Sequence, residues 1–384
     1  MEFKTLFKQF KKKTLSGRYI TNSAIEPILK QLGPDFKVNT PAVSVKQQPI
    51  YTVEVGHGNH KIYMWSQMHG NESTTTKAVF DFINLLNSTN PLAIQLKETF
   101  RFLIVPIANP DGAAAYTRVN ANEVDLNRDA LNLSQPESKL LRGLYDTFQP
   151  DFCFNLHDQR TIFGAGNTGK PATVSFLAPA YNEEREINSV RKQAIGIIVA
   201  MNVALQKYIP GQIGRFDDAF NMNCIGDRFQ SLGTPTILFE AGHFPGDYER
   251  EVTREYIFIA YLVALTTISK SEHVNNKTAE YFDIPQNMIV FFDFIYKNIK
   301  IDAVDNQKIT NFAAQYKETL ENDKIVFEAY IAETGTLSEY YGHTEYDFKK
   351  ESIRNSNGTI PVINDKADFL VANKQKIVNG LLKK

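Results

Sequence analysis

Cysteine is scarce in this chain: Cys153 and Cys224 are the only two, and neither sits in a Cys-x-x-Cys pair. That scarcity excludes a disulfide framework and agrees with a reducing compartment. Net charge is nearly absent as well, since 42 Lys and Arg against 43 Asp and Glu leave −1. Such a balance gives no nucleic-acid footprint and no polybasic membrane signal, and the local run Lys8, Lys11, Lys12, Lys13 reads as a solvated helix end. No apolar run reaches the ~20 residues of a membrane span, and the longest, 256–268, reads as a buried core helix. The first residues carry charges throughout and lack the apolar core of a secretory signal, so a cytoplasmic protein with no membrane partner is expected. What is present, 43% hydrophobic and 22% charged residues over 384 positions, is the composition expected of a soluble globular protein with one large domain and a smaller one.

Strands and helices alternate along much of the chain. Residues 1–49 read as a helical start and an irregular approach through Gly33-Pro34 and Pro41. Two strand-like runs, 50–55 and 61–66, flank Gly56-His57-Gly58-Asn59-His60, whose glycines and asparagine suit a tight turn. His57 and His60 are therefore assigned to that turn and not to a metal. A helix over 74–86 follows from Val79, Phe82, Ile83 and Leu86 at i, i+3, i+4, i+7. Further strands are expected at 101–107, 151–156, 173–177 and 235–239, and helices at 183–207 and 249–269. Ser134 with Glu137 has the spacing of a capping box opening a helix to Phe148. The pattern predicts an α/β fold with a mixed, mostly parallel central sheet and helices on both faces. From about Glu272 the character changes: 273–277 is polar, and 276–384 is expected to form a small C-terminal α+β domain, helical over 306–321 with strands at 324–331 and 368–372. His343 reads as a packing residue.

In parallel sheets ligands bind outside the carboxyl ends of the strands. His69, Asn109, His157 and Glu240 each stand just after an expected strand or at its end, and that shared position is the argument for a site. His69 and Glu72, three apart at a strand-to-helix turn, with a distant His157, make a His₂Glu set suited to one catalytic zinc. Water on such an ion still needs a base, and Glu240 follows an apolar run that would raise its pKa for that work. Of the two arginines between the ligands, Arg118 suits an oxyanion near the metal, and Arg128 beside Asn127 suits a carboxylate.

His69-x-x-Glu72, Asn109-Pro110-Asp111-Gly112, Arg118 with Asn120-Ala121-Asn122, Val124-Asp125-Leu126-Asn127-Arg128, Asn155-Leu156-His157 and Phe239-Glu240 resemble the zinc carboxypeptidase family, the funnelin metallopeptidases, across residues 50–270. The resemblance implies a catalytic domain over 1–275 with residues 1–49 as an extension. It implies one Zn²⁺ per chain on His69, Glu72 and His157, Glu240 as general base and then acid, and Arg118 as the carbonyl-polarising group. Asn127 and Arg128 would grip the substrate's terminal carboxylate, and Asp125 would orient a zinc-bound histidine. The implied reaction is hydrolysis of the C-terminal amide bond of a peptide or cell-wall peptide.

Two features depart from the family's peptidases. Members carry a tyrosine shortly before the catalytic glutamate, whereas 210–247 contains none; Phe216, Phe220 and Phe229 stand there, and Tyr248 comes too late to be assigned. His-Gly-Asn-Glu at 69–72 and Glu240-Ala241-Gly242 also resemble the aspartoacylase and succinylglutamate desuccinylase branch, which would make the substrate an N-acyl amino acid. A third alternative is an inactive homologue that binds carboxylates. Acids at Asp217, Asp218 and Asp227 would accept a basic side chain or pair with Arg215 and Arg228.

Overall fold

The computed structural model describes residues 3–303, 306–372 and 374–383. They divide into two compact units, one made of residues 1–159 and 172–287, the other of 160–171 and 288–384. The division falls beyond the polar stretch 273–277, which a short 3₁₀ turn, Glu272–Val274, enters within the first unit, with His273 buried edge-on against Phe152.

The first unit begins with helices α1 (Phe3–Phe10) and α2 (Asn22–Leu29) and strands β1 (Lys37–Val43), β2 (Pro49–Val55) and β3 (His60–Ser66). Helices α3 (Thr74–Leu86) and α4 (Pro91–Thr99), strand β4 (Phe100–Val105), helices α5 (Pro110–Ala115) and α6 (Pro136–Phe148) and strand β5 (Phe152–Asp158) follow. Strand β6 (Phe163–Ala165) lies in the second unit. The chain then returns with β7 (Val174–Leu177), α7 (Ser189–Leu205), β8 (Ile213–Arg215), α8 (Ile225–Ser231), β9 (Thr236–Ala241), α9 (Glu251–Ser269) and α10 (Thr278–Phe282).

Eight strands form one sheet in the order β1-β2-β4-β3-β5-β9-β7-β8. The central pairs β4/β3, β3/β5 and β5/β9 are parallel, and β2/β4 and β9/β7 are antiparallel. Alternate residues of β3 enter different cores. Ile62 and Met64 pack with α3, α7 and α9 on one face, while Tyr63 and Trp65 pack with Leu141, Phe148 and Phe229 of α6 and α8 on the other. Period-two alternation with both faces apolar is what a sheet covered on both sides requires. Helix α9 is long and apolar enough to cross a membrane by composition, yet its residues from Tyr256 through Leu265 are all buried within this core.

Two helix starts differ from expectation. Helix α6 begins at Pro136 with Gln135 at its cap, because the Asp129 carboxylate takes Ser134 Oγ (2.8 Å) and the N–H groups of Ser134 and Gln135 (both 3.0 Å). Glu137 instead accepts from Val45 N and Asn120 Nδ2, so no capping box forms. Helix α7 starts only at Ser189, where the Asn188 side chain accepts the Arg191 N–H at 2.8 Å.

The second unit is built of strands. After β10 (Asn287–Ile289), which pairs with β6, come β11 (Phe291–Ala303), β12 (Asn306–Glu321), β13 (Lys324–Gly335) and β14 (Tyr341–Asp347), in the order β13-β12-β11-β14. A smaller sheet contains β15 (Ile353–Arg354), β16 (Phe369–Val371), β17 (Lys376–Val378) and β18 (Leu381–Lys383). The helix expected over Asn306–Glu321 is thus a strand, and no helix occurs among the described residues of this unit; the α+β expectation for it gives way to a β architecture. Ladders on both sides of β12 override the helix preference of its Ala-, Gln- and Glu-containing sequence. His343 stacks on Phe291, with centroids 4.6 Å apart, as a packing residue.

Candidate metal centre and its surroundings

The site lies where β3, β5 and β9 end. Past β3 the chain turns sharply at Gln67, whose φ is 51°, and delivers His69 and Glu72 before α3 begins. A Cβ at Gly70 would come within 1.9 Å of the Gly112 carbonyl carbon, so only glycine lets this turn lie against the start of α5. Asn109 fastens the approach: its Oδ1 accepts the Gly112 N–H at 2.8 Å and its Nδ2 donates to the Met68 carbonyl at 3.1 Å. Asn109 is thus a bracket for the turn.

His157, near the end of β5, meets that turn. His69 Nδ1 lies 2.8 Å from Glu72 Oε1, His157 Nδ1 lies 2.8 Å from Glu72 Oε2, and the two Nδ1 atoms are 3.1 Å apart. Among the described residues this is the one group whose ligand atoms all fall within 4.8 Å of one another. His69 Nε2 stands 3.0 Å from Asp125 Oδ1, and because a carboxylate only accepts, the ring proton sits at Nε2 and the Nδ1 lone pair faces inward. Two inward imidazole nitrogens with a carboxylate between them are the donor set of a three-ligand zinc site, so the residues fit the ion that the sequence suggests.

Charge follows the same logic. Burial opposes ionisation of Glu72, but His69 and His157 outweigh it and hold the carboxyl well below its usual range. Burial would also raise Asp125, yet His69, Arg118 and the Asn127 N–H keep it low. His157 is lowered by burial, whereas at His69 the pull of Glu72 and Asp125 overcomes the same burial and raises it.

Glu240 stands beside this group. In the parallel β5/β9 ladder it is the register partner of His157, which puts both side chains on one face of the sheet. It is buried, its Oε2 has no hydrogen-bond partner among the described residues, and burial, with Glu72 and Asp158 nearby, raises its pKa well above the ordinary value. A carboxyl in such surroundings is poised to take and return a proton.

The loop 118–128 is shaped by Asn120, whose Oδ1 accepts the N–H groups of Asn122 and Val124 (both 3.1 Å). That fold brings Arg118 back onto Asp125, with Nε to Oδ2 at 3.0 Å, and places its Nη1 3.4 Å from Glu72 Oε1. Asp125 also caps the short 3₁₀ turn Leu126–Arg128 through the Asn127 N–H. Asn127 Oδ1 accepts from Ile225 N at 3.1 Å, and the exposed Arg128 donates through Nη1 to the Asn127 carbonyl and to Cys224 Sγ.

Some contributors escaped the sequence reading. Asp158, next to His157, accepts the Thr74 and Thr75 N–H groups at 2.8 and 3.2 Å, pinning the start of α3 to the end of β5. Its signal was a second ionisable residue directly after a ligand. Of the pocket acids, Asp218 is tied to Arg191 at 2.5 Å and to Arg185, partners other than the expected Arg215 and Arg228. Asp227 is pushed up to about 7 by burial.

Residues 28–202 match the model of the zinc carboxypeptidase family, peptidase M14. Over that stretch the larger unit is similar to the zinc carboxypeptidase family. Among curated relatives, the chain is 30% identical over 115 residues to probable carboxypeptidase 2 of Arthroderma benhamiae, a match covering 29% of this chain and 21% of that protein. It is 29% identical over 134 residues to carboxypeptidase 2 of Trichophyton tonsurans, covering 34% and 24% of the respective chains. The chain thus spans about a quarter or less of the length of these relatives. The fold is shared with a putative carboxypeptidase A from Shewanella denitrificans (TM-score 0.54, 18% identity, 64% of this chain and 67% of that one). It is shared too with carboxypeptidase A from Helicoverpa armigera (TM-score 0.51, 16% identity, 71% and 79%).

Proposed function

We propose that this chain is a member of the zinc carboxypeptidase family and an active metallohydrolase that removes the C-terminal residue of a peptide or cell-wall peptide. The observation that carries this reading is the convergence of His69, Glu72 and His157 with a buried, partly unpartnered Glu240 beside them in strand register. His69 and His157 would hold a zinc ion through Nδ1, and Glu72 through its carboxylate. The ion supplies Lewis-acid polarisation and makes water acidic enough to deprotonate near neutral pH.

The protein's own groups do the rest. Asp125 keeps the His69 proton at Nε2 and so keeps Nδ1 free to ligate. Glu240 accepts the water proton and returns it to the leaving amine, which its raised pKa favours. Arg118 is half exposed and reaches Glu72, from where its guanidinium can meet the negative oxygen that develops on the scissile carbonyl. The exposed Arg128 and the half-buried Asn127, whose Oδ1 accepts the Ile225 N–H at the start of α8, suit the free carboxylate of the substrate.

The test is metal analysis of protein prepared without chelators, joined to an assay of peptides with free and amidated C-termini and of N-acyl amino acids. One zinc per chain and cleavage of the free-ended peptides alone is the expected result. Preference for N-acyl amino acids would replace the peptide substrate with the smaller one; no metal and no turnover would leave a carboxylate-binding protein.

A further inference from the structure

The turn that carries His69 and Glu72 is tied at both ends to one short stretch of the N-terminal extension. At its start, Gln67 is 1% exposed and spends both amide hydrogens on carbonyls: Nε2 donates to Ile20 O at 2.7 Å and to Gly70 O at 2.8 Å. At its end, Ser73 Oγ donates to Arg18 O at 2.5 Å. Both features run against local preference. A glutamine at positive φ is disfavoured. A serine at the N-cap of a helix normally accepts from the helix, yet Ser73 makes no such bond and Asp158 serves the first N–H groups of α3 in its place. Residues that forgo their local optimum are being used for something else.

The stretch they hold is itself anchored. Tyr19 Oη donates to Ala114 O at 2.8 Å, Asn22 Nδ2 donates to Pro49 O at 2.8 Å, and the Leu15 carbonyl receives Arg254 Nη1 at 2.6 Å. Leu15 and Ile20 are buried in the main core. The acceptors toward the turn are main-chain carbonyls, so the path of residues 15–22 matters more than its side chains.

We propose that residues 15–22 act as a clamp on the metal-binding turn, with Gln67 and Ser73 as positioning residues that set how tightly His69 and Glu72 hold their ion. The inference rests on the metal site proposed above. Gln67→Gly separates the two roles of that position, since glycine adopts positive φ freely but lacks the amide. Gln67→Asn tolerates the same backbone and is too short to bridge both carbonyls.

In the full chain, zinc affinity is measured by competition with a chromophoric chelator, alongside the visible spectrum of the Co²⁺-substituted protein and thermal unfolding of the metal-free protein. Gln67→Gly, Gln67→Asn and Ser73→Ala are each expected to weaken zinc by about tenfold and to alter the cobalt spectrum, the size of effect known for groups that orient metal ligands. Zinc affinity and cobalt spectrum equal to wild type in all three, even with a lowered unfolding temperature, would overturn the clamp and leave a purely structural contact. A wild-type protein that takes up no zinc would overturn the metal site itself, and the clamp with it.

Discussion

Helix α3 touches two buried charged clusters that differ in one respect. On one side, Lys77 and Asp81 meet Glu251 and Arg254 of α9. Arg254 grips Asp81 through Nε and Nη2, both at 2.6 Å, and gives its remaining N–H groups to Leu15 O, Lys12 O and Glu251. Lys77 donates to Glu251 and to Glu249 O. Just before the helix begins, Glu72 sits among His69, His157, Asp125 and Arg118, with imidazole nitrogens facing each other and Glu240 Oε2 without a partner among the described residues. The first cluster closes on itself and the second does not. Burial and charge are common to both, so neither marks a site; what marks it is donor atoms converging on a point that the protein leaves to something else.

The largest effect should come from breaking the closed cluster. Arg254→Met leaves the buried Asp81 without its ion-pair partner, and urea unfolding should show a loss of about 3–5 kcal/mol. Zinc affinity of the folded variant should stay at the wild-type value; a parallel loss would mean the clusters are coupled through α3. Next, Glu240→Gln should lower kcat by about a thousandfold while zinc content and unfolding midpoint are kept, because the amide keeps the size and shape of the carboxyl and Oε2 has no partner to lose among the described residues. Normal turnover in the metal-replete variant would remove Glu240 from the chemistry. Asp125→Asn should weaken zinc by about 10–100-fold in a chelator competition, since the amide can present a donor to His69 Nε2 and upset the ring proton; full occupancy at low zinc would show that another group fixes the tautomer.

The smallest effect concerns Asp227, an intermediate case. Its folded pKa, about 7, lies above the ordinary carboxyl value because of burial. The folded state therefore binds the proton more tightly than the unfolded one, and this group's stabilisation, present below the unfolded pKa, is lost as pH rises toward 7. Asp227→Asn should therefore unfold at a higher temperature than wild type at pH 8 and at nearly the same temperature at pH 4. Identical differences at both pH values would mean that Asp227 is ionised throughout and belongs with the closed cluster.

The strands that end at the site were legible because each is a short apolar run stopped by a polar residue, as in the strands ending near Ser66, His157 and Glu240. Strand β12 was not. Its outer half alternates, with Lys317, Thr319 and Glu321 exposed and Glu318 and Leu320 half-buried, but Phe312, Ala313 and Ala314 are buried in succession, where β13 skips a residue between the partners Ile331 and Glu333. Burial of three successive residues thus hides the alternation by which a strand is read. Ser134 was misread for a related reason: spacing names a capping box, but Asp129 competes for the same hydroxyl and N–H groups.

The sequence by itself determined which elements form in the larger unit and which residues stand at their ends, because periodicity and turn chemistry are local. It also set the order of the family's motifs. Only the tertiary structure decided that His157 and Glu240 are lateral neighbours across a parallel ladder, that Asp125 reaches back to His69, and that Arg18 and Ile20 hold the turn 67–73 from behind. Those contacts join residues dozens of positions apart, and chain-local preference carries no information about which distant carbonyl a buried amide will find.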